Sequence, residues 1–488
     1  MKYINIFLGI TLAFVILVSC TSNPEKSGKS EDSGNQSTEV KKLVDPEVSD
    51  QEQADVANND QLNDNPTIEP IVPANVKPAE KRSGVSVYKP RQTAPSGGWP
   101  LIIFLDPHAQ GSLPLSLYQD LAEEYGFLLI GSNEIMNGMP GKEIIASFDK
   151  MLATAKIDFP VDQNRIYFMG FSGGARLGLA FAEAYPEIKA MVACGAGIQA
   201  GVQAPKPTFS YLGMGGNEDF NMIEIINTDR TLKRQGFNRA LVIFDGDHNW
   251  PPEPVALEAF QWFELVAMKD NAIAKDNAAI QTAKKWYLQK INSLKNAGRI
   301  FDSYEVAERA VSVLDGLADV SDLKQLGRNL RENPAYKEQL SSMVKSMQVE
   351  MGLQNSFMQA FAGKDMEWWT AELQKLNEEG ANEWEQRMNK RLLAYLGIMS
   401  YMMSDRAVNE KDVEGSAKYL EIYRLLEPAN PEHAYLEAKR RMMMNEKSRV
   451  IDYLKLAVVL GFNDKYRLFS EPAFSPLHND PEFIALLQ

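Results

Sequence analysis

The strongest constraint on the fold is the stretch Arg165–Leu177, which reads RIYFMGFSGGARL. Ile166 to Met169, with Arg165 before them, suit a buried strand; Gly170-Phe171-Ser172-Gly173-Gly174 follows; and Ala175 to Tyr185, rich in Ala and Leu, reads as a helix. A strand joined to a helix through G-x-S-x-G fixes more than local structure. The serine has to stand on a turn too tight for ordinary side chains, so that its hydroxyl clears the sheet. The positions two before and two after it approach neighbouring backbone, where only very small residues fit. The stretch therefore calls for a sheet to hold its strand and for Ser172 to stand at the strand's carboxyl end as a nucleophile.

The surrounding pattern supplies such a sheet. Val85-Ser86-Val87-Tyr88 alternates like an edge strand, and Leu101 to Leu105 is a continuous apolar run suited to burial on both faces. Helices are expected over 115–125, 142–155, 222–234 and 254–268, and further strands over 127–130, 190–194, 209–214 and 240–244. Strands alternating with helices at this spacing predict an α/β fold with a doubly wound, mostly parallel sheet.

Reactive groups on such sheets gather at the carboxyl ends of strands. The strand ending near Met214 leads into Gly216-Asn217-Glu218-Asp219, and the last strand into Asp245-Gly246-Asp247-His248-Asn249-Trp250-Pro251-Pro252. Ser172, Asp219 and His248 thus stand in the chain order serine, acid, histidine. The chemistry divides among them. Ser172 attacks an acyl carbonyl, His248 takes its proton and returns it to the leaving group, and Asp219 fixes the imidazole tautomer and stabilises its charged form. Glu218 and Asp247 are rival acids, although Asp247 adjoins His248 and is poorly placed to support its ring; Asp219 could also serve only as a turn residue or as a cap of the helix that follows. The expected oxyanion donors are the backbone N–H groups of Gly173, directly after the nucleophile, and of His108, in the loop Asp106-Pro107-His108-Ala109-Gln110-Gly111 where Pro107 has no N–H to give. The His108 ring either lines the pocket or packs over its loop. Cys194 lies in an apolar strand and is expected to be inert core.

The segment from about Val85 to Met268 resembles the α/β-hydrolase superfamily. It is most similar to the branch of feruloyl esterases and polyhydroxybutyrate depolymerases, near dienelactone hydrolases and prolyl-oligopeptidase-type peptidases. The resemblance is carried by Asp162-Gln163-Asn164-Arg165-Ile166-Tyr167, by Gly170-Phe171-Ser172-Gly173-Gly174-Ala175, and by His248-Asn249-Trp250-Pro251. It implies a serine hydrolase acting on esters, often secreted. The chain departs from the pattern at two places: Asp106-Pro107-His108 replaces a His-Gly-Gly-type oxyanion loop, and Asp247 replaces a glycine before the histidine.

The chain opens with Lys2 and a mostly apolar run from Ile4 to Val18, too short for a membrane span and suited to a signal h-region. It ends Leu17-Val18-Ser19-Cys20, which resembles the bacterial lipobox. The resemblance implies a signal peptide over 1–20, acylation of Cys20, and a lipid-anchored place in the bacterial cell envelope. From 21 to 82 the chain is rich in Ser, Asn, Asp, Glu, Gln and Pro and nearly free of aromatics, the composition of a disordered linker. The hydrolase-like domain is then expected over 83–270 and an all-α domain over 271–488.

In that last part helical periodicity is broken at Asn333-Pro334 and Asn430-Pro431, as in stacked helix pairs. Ala438, Val450, Leu454 and Ala457, with Ala417, Leu420 and Pro428 one unit earlier, resemble a degenerate tetratricopeptide array, which implies a surface for a protein partner. Trp368 and Trp369 are neighbours on a helix, so one is expected to be buried and the other not.

The formal charge of −14, from 65 acidic and 51 basic residues, argues against nucleic acid as a partner. Two cysteines and four histidines give no zinc-like spacing, and the chemistry assigned to Ser172, Asp219 and His248 requires neither metal nor cofactor. The expected function is ester hydrolysis through an acyl-enzyme on a small-molecule substrate. Two other readings stay open: a serine peptidase, or a hydrolase-like binding module with weak turnover.

Overall fold

The computed structural model describes residues 80–487 apart from 83, 379 and 381. Cys20, the apolar segment before it and nearly all of the expected linker lie outside the described residues. The apolar runs of the sequence become the strands of an eight-stranded sheet: β1 Glu80–Arg82, β2 Val85–Tyr88, β3 Trp99–Leu105, β4 Leu128–Ser132, β5 Val161–Phe171, β6 Ile188–Cys194, β7 Ser210–Gly216 and β8 Arg239–Phe244. Their order is β1-β2-β4-β3-β5-β6-β7-β8. β1 and β2 run antiparallel to their neighbours and every other pairing is parallel. β1 falls at the end of the segment read as linker; Glu-Lys-Arg carries no apolar signal, and backbone pairing to Val85–Val87 is what makes it a strand. As a result β2 is an internal strand rather than the edge.

Helices cover both faces, which is why the central strands are apolar throughout. Successive residues on a strand point to opposite faces, and β5 shows the consequence. Tyr167 stacks on Phe263 of α5 (Glu253–Lys269) at 4.6 Å. Phe168, its neighbour, lies 6.4 Å from both Phe148 of α2 (Gly141–Asp158) and Phe181 of α3 (Gly173–Ala184). α1 (Ser112–Tyr125) shares the α5 face through Tyr118 and Phe260, and α4 (Met222–Arg234) packs between β7 and β8. β4 and β5 lie on opposite sides of β3, so the chain reverses its direction of winding there; in open sheets the crevice at such a point receives ligands.

After α5 the described residues hold helices and no strand: α6 Asn277–Asn296, α7 Ile300–Leu314, α8 Ser321–Glu332, α9 Pro334–Gly363, α10 Met366–Asn377, α11 Glu383–Asn409, α12 Val413–Leu426, α13 Pro431–Met443, α14 Lys447–Val459, α15 Lys465–Ser470 and α16 Pro481–Leu486, with a 3₁₀ turn at Pro472–Leu477. Asn333 and Asn430 cap the helices that start at Pro334 and Pro431, each with proline in the first turn where its missing N–H costs nothing. All the described residues fall within one compact unit. The apolar cluster of the sheet continues without a break through α6, α7 and α8 to Met343 and Met347 of α9. Arg309 of α7 is buried where this joint forms, with Nε 2.5 Å from Glu258 of α5 and Nη1 donating to Leu241 O of β8 at 2.7 Å. Two smaller clusters follow, one around Trp369 and one around Tyr435. Trp369 is fully buried and Trp368 half-buried. Ala438, Val450, Leu454 and Ala457 are all buried; one unit earlier Leu420 is buried, Ala417 is half-buried, Pro428 is exposed, and Ser416 takes the enclosed small position. Among the described residues no helix is long and apolar enough to cross a membrane.

Candidate active site

Ser172 caps α3 at φ 51° and ψ −116°, a conformation that L residues adopt at a cost of order 1–3 kcal/mol unless the surroundings hold them there. The surroundings do hold it. Ser172 N–H donates to Cys194 O of the next strand at 2.8 Å, and Ser172 O accepts the first bonds of α3 from Ala175 and Arg176. The flanking glycines have the reason anticipated from the motif. A Cβ on Gly170 would lie 2.5 Å from the Gly174 carbonyl carbon, and one on Gly174 would overlap Leu105 O.

The hydroxyl so presented meets a histidine from the far side of the sheet. Ser172 Oγ is 3.1 Å from His248 Nε2, and His248 Nδ1 is 2.9 Å from Asp219 Oδ1. Three residues from the ends of β5, β7 and β8 are thus joined in one chain of hydrogen bonds, with the imidazole between the serine hydroxyl and a buried carboxylate. The Asp219 side chain is 1 % exposed. Its Oδ1 also accepts from Asn221 N–H at 2.7 Å, the turn contact that precedes α4. The rival acids stand elsewhere: Glu218 pairs with Lys390 at 2.9 Å, and Asp247 accepts from Asn249 at 2.8 Å. Phe220 and Phe171 flank the His248 ring at centroid distances of 4.3 and 4.8 Å. Cys194 is buried directly behind the elbow, and burial pushes its thiol well up, away from the reactive thiolate.

The expected oxyanion donors are differently placed. Gly173 opens α3, where backbone N–H groups have no partner within the helix. His108 N–H donates to Asp106 Oδ1 at 2.9 Å, so this hydrogen already has an acceptor. The His108 ring is 74 % exposed, with Nδ1 3.6 Å from the same oxygen, and the Asp106 carboxylate beside it raises its pKa. Asp106 Oδ2 accepts from Trp250 Nε1 at 3.0 Å. Burial opposes ionisation of Asp106, but the bonds from His108 and Trp250 more than offset it and hold the carboxyl below its ordinary value. The Asp106 loop and the loop that follows β8 are therefore tied through a buried carboxylate.

Asn137 is a neighbour that no sequence signal marks. Its N–H donates to Pro107 O at 2.8 Å, and a Cβ on Gly173 would overlap its side-chain Oδ1, so an amide stands over the first turn of α3 beside Ser172. Nor does any motif point to Asn217, whose side chain bridges to Asp245 at 2.6 Å and thereby links the loop of Asp219 to that of His248. Among the described residues no group of three or more His, Cys, Asp or Glu is placed to hold a metal ion.

No protein-family model matches the chain, and neither does any curated protein. Solved structures do. The chain is similar to the substrate-bound fluorophosphonate-binding serine hydrolase F of Staphylococcus aureus, at 14 % identity and a TM-score of 0.33, over 37 % of this chain and 91 % of that one. It is similar to esterase PE8 at 18 % identity and a TM-score of 0.31, over 37 % and 99 % of the two chains. A ferulic acid esterase matches at 13 % identity and a TM-score of 0.30, over 37 % and 90 %. In each case the match takes in most of the solved protein and little more than a third of this chain.

Proposed function

We propose that the protein is a serine hydrolase that cleaves carboxylic esters through an acyl-enzyme. One observation carries the reading: Ser172, at φ 51° on its strand-to-helix turn, is linked through His248 to the buried Asp219 at 3.1 and 2.9 Å. In the first step Ser172 Oγ bonds to the acyl carbon as its proton passes to His248 Nε2, and the carbonyl π pair moves onto oxygen. The imidazolium is stabilised by Asp219 through the Nδ1 bond. The oxyanion is met by Gly173 N–H. Collapse of this intermediate breaks the ester C–O bond, and the leaving alkoxide takes the proton from Nε2. Water then enters, gives its proton to His248 and its oxygen to the acyl carbon, and releases the acid with Ser172 restored.

The test is covalent. The full-length chain, incubated with a fluorophosphonate probe, is expected to take one label at Ser172, and Ser172→Ala to take none. A folded wild-type chain that stays unlabelled would overturn the reading. A second reading, a hydrolase-like module with little turnover, is favoured by the bond that His108 N–H makes to Asp106 Oδ1 at 2.9 Å, since that donor must be shared or released to serve an oxyanion. Labelling at Ser172 with no measurable release of p-nitrophenol from p-nitrophenyl acetate would favour this second reading. We place the enzyme on the bacterial cell envelope through acyl chains on Cys20; the substitution Cys20→Ala is expected to move it from the membrane to the soluble fraction, and unchanged partition would exclude the anchor.

A further inference from the structure

The two loops that carry Asp219 and His248 are gripped from outside the sheet by one helix. On α11, Arg387 stands one turn before the adjacent Lys390 and Arg391, and all three reach these loops. Arg391 Nη1 donates to Asn217 O at 2.6 Å, two residues before Asp219. Lys390 Nζ meets Glu218 Oε1 at 2.9 Å, and Arg387 Nη2 meets Asp245 Oδ1 at 3.3 Å, three residues before His248. Arg299, at the start of α7, closes on the same Asp245 carboxylate with contacts of 2.6 and 3.0 Å.

These contacts differ in weight. Lys390 is 61 % exposed and its pair with Glu218 is a surface pair, worth little. The Arg391 side chain is 3 % exposed. Its Nε and Nη2 hold Glu350 Oε2 of α9 at 2.9 and 2.6 Å, and the Glu350 side chain is fully buried. With its Nε–Nη2 edge fixed on Glu350 Oε2, the guanidinium is held with Nη1 on Asn217 O. The orientation passes on through the loop. Asn217 N–H donates to Phe244 O, Glu218 N–H to Gly246 O, each at 2.8 Å, and Asn217 Nδ2 to Asp245 at 2.6 Å. A shift of Asn217 would therefore move the acid loop against the histidine loop, which is the displacement to which the Asp219–His248 bond is most sensitive.

We propose that Arg391, locked by Glu350, is a positioning residue that sets the register between the Asp219 and His248 loops, so that the helical half of the chain is a working part of the active site. The inference rests on the hydrolase reading above. The helical half then has a role at the site that does not require a protein partner.

The experiment compares the full-length chain with Arg391→Lys and with the double substitution Arg391→Met/Glu350→Met, which exchanges the buried pair for apolar side chains of similar length and leaves no lone charge inside. The exposed pair mate Arg424→Ala serves as control. With p-nitrophenyl acetate, the double variant should lose on the order of 10- to 100-fold in kcat with KM little changed, because the misplaced group is the base and not the binding surface. Fluorophosphonate labelling of Ser172 should slow by the same factor, and Arg391→Lys should fall between. A structural readout accompanies these: the far-downfield proton resonance of the Asp219–His248 hydrogen bond, present in the wild type and lost or moved in the double variant. A folded double variant with wild-type kcat and an unchanged resonance would overturn the proposal. If the wild type neither labels nor hydrolyses the ester, the hydrolase reading fails by itself, and the resonance decides the positioning claim: absent from the wild type, or unchanged in the variant, it overturns it. Should the double variant not fold, Arg391→Lys carries the same comparison, and an unchanged kcat and resonance there overturn it equally.

Discussion

Asp219→Asn isolates charge from shape better here than in most sites. Asp219 accepts two hydrogen bonds on one oxygen, from His248 Nδ1 at 2.9 Å and from Asn221 N–H at 2.7 Å. Its Oδ2 is buried and has no hydrogen-bond partner among the described residues. An asparagine carbonyl can keep both bonds while its NH₂ takes the place of Oδ2, so the ring keeps its partner and the negative charge is removed, and the buried NH₂ adds a stability cost of about 1–3 kcal/mol that a thermal melt reads. In the transition state the imidazolium and the carboxylate would have charge centres about 4 Å apart, worth about 4 kcal/mol at the effective dielectric of a partly buried pair. At about 1.4 kcal/mol per decade that is roughly a thousandfold in kcat. KM should stay near the wild-type value, because the lost interaction forms only as the proton moves. The assay is steady-state hydrolysis of p-nitrophenyl acetate by wild type, Asp219→Asn and Ser172→Ala, with a thermal melt to show that each is folded. A folded Asp219→Asn enzyme turning over within about threefold of wild type would refute the reasoning, since a carboxylate that stabilises the imidazolium cannot be neutralised at so small a cost.

Other outcomes follow from local contacts. Gly174→Ala drives a Cβ into the backbone oxygen of Leu105 and should cost about 1–3 kcal/mol and abolish labelling of Ser172, whereas Gly173→Ala meets only the tip of the exposed Asn137 side chain and should still fold; thermal melts and probe uptake read both. Glu258→Ala leaves Arg309 buried without its carboxylate and should destabilise by about 3–5 kcal/mol in urea, while Glu258→Met/Arg309→Met should be near neutral. Burial opposes ionisation of Glu258, but Arg309 and Lys290 outweigh it and lower its pKa; a depressed acid contributes stability above its unfolded value of 4.5 that is lost as pH falls through the folded one, so Glu258→Gln should flatten the acid arm of a melting-temperature profile. Trp369→Ala should cost about 3–5 kcal/mol and Trp368→Ala, half-buried beside it, clearly less, measured by the same urea titration.

What could be read in advance depended on how local the cause was. The sheet was legible because Leu101–Leu105 and Ile166–Met169 have to be apolar at every position to be covered on both faces, and β3 and β5 are buried there throughout. The placing of Ser172, Asp219 and His248 at strand ends was legible because chain order and topology leave few other positions, and the structure brings the three within hydrogen-bond reach. β1 was not legible: its three polar residues become a strand only by pairing with β2. The environment of His108 was not legible either. Whether its N–H is turned to the pocket or to Asp106 is decided by Trp250, which lies 144 residues from Asp106 in the chain and takes the other oxygen of the same carboxylate.

The hardest feature to foresee was the reach of the helical half into the site, and Lys390-Arg391 shows why. Two adjacent cations on a helix read alike in a sequence, as part of a solvated face. They sit 100° apart around the helix axis, and that difference leaves one 61 % exposed on Glu218 and the other 3 % exposed on Glu350 and Asn217 O. Which of them is enclosed is settled by Glu350, 41 residues earlier on α9, and by a backbone oxygen 174 residues earlier at the end of β7. Helical periodicity marks the faces of α11 but not what each face meets. A polar face that docks on polar loops leaves no apolar signature, because its contacts are made by the same residue types that cover a free surface. Charge on such a helix is therefore no sign that it stands apart from the candidate site: α11 meets the Asp219 loop through Arg391 and Lys390 and the His248 loop through Arg387 on Asp245.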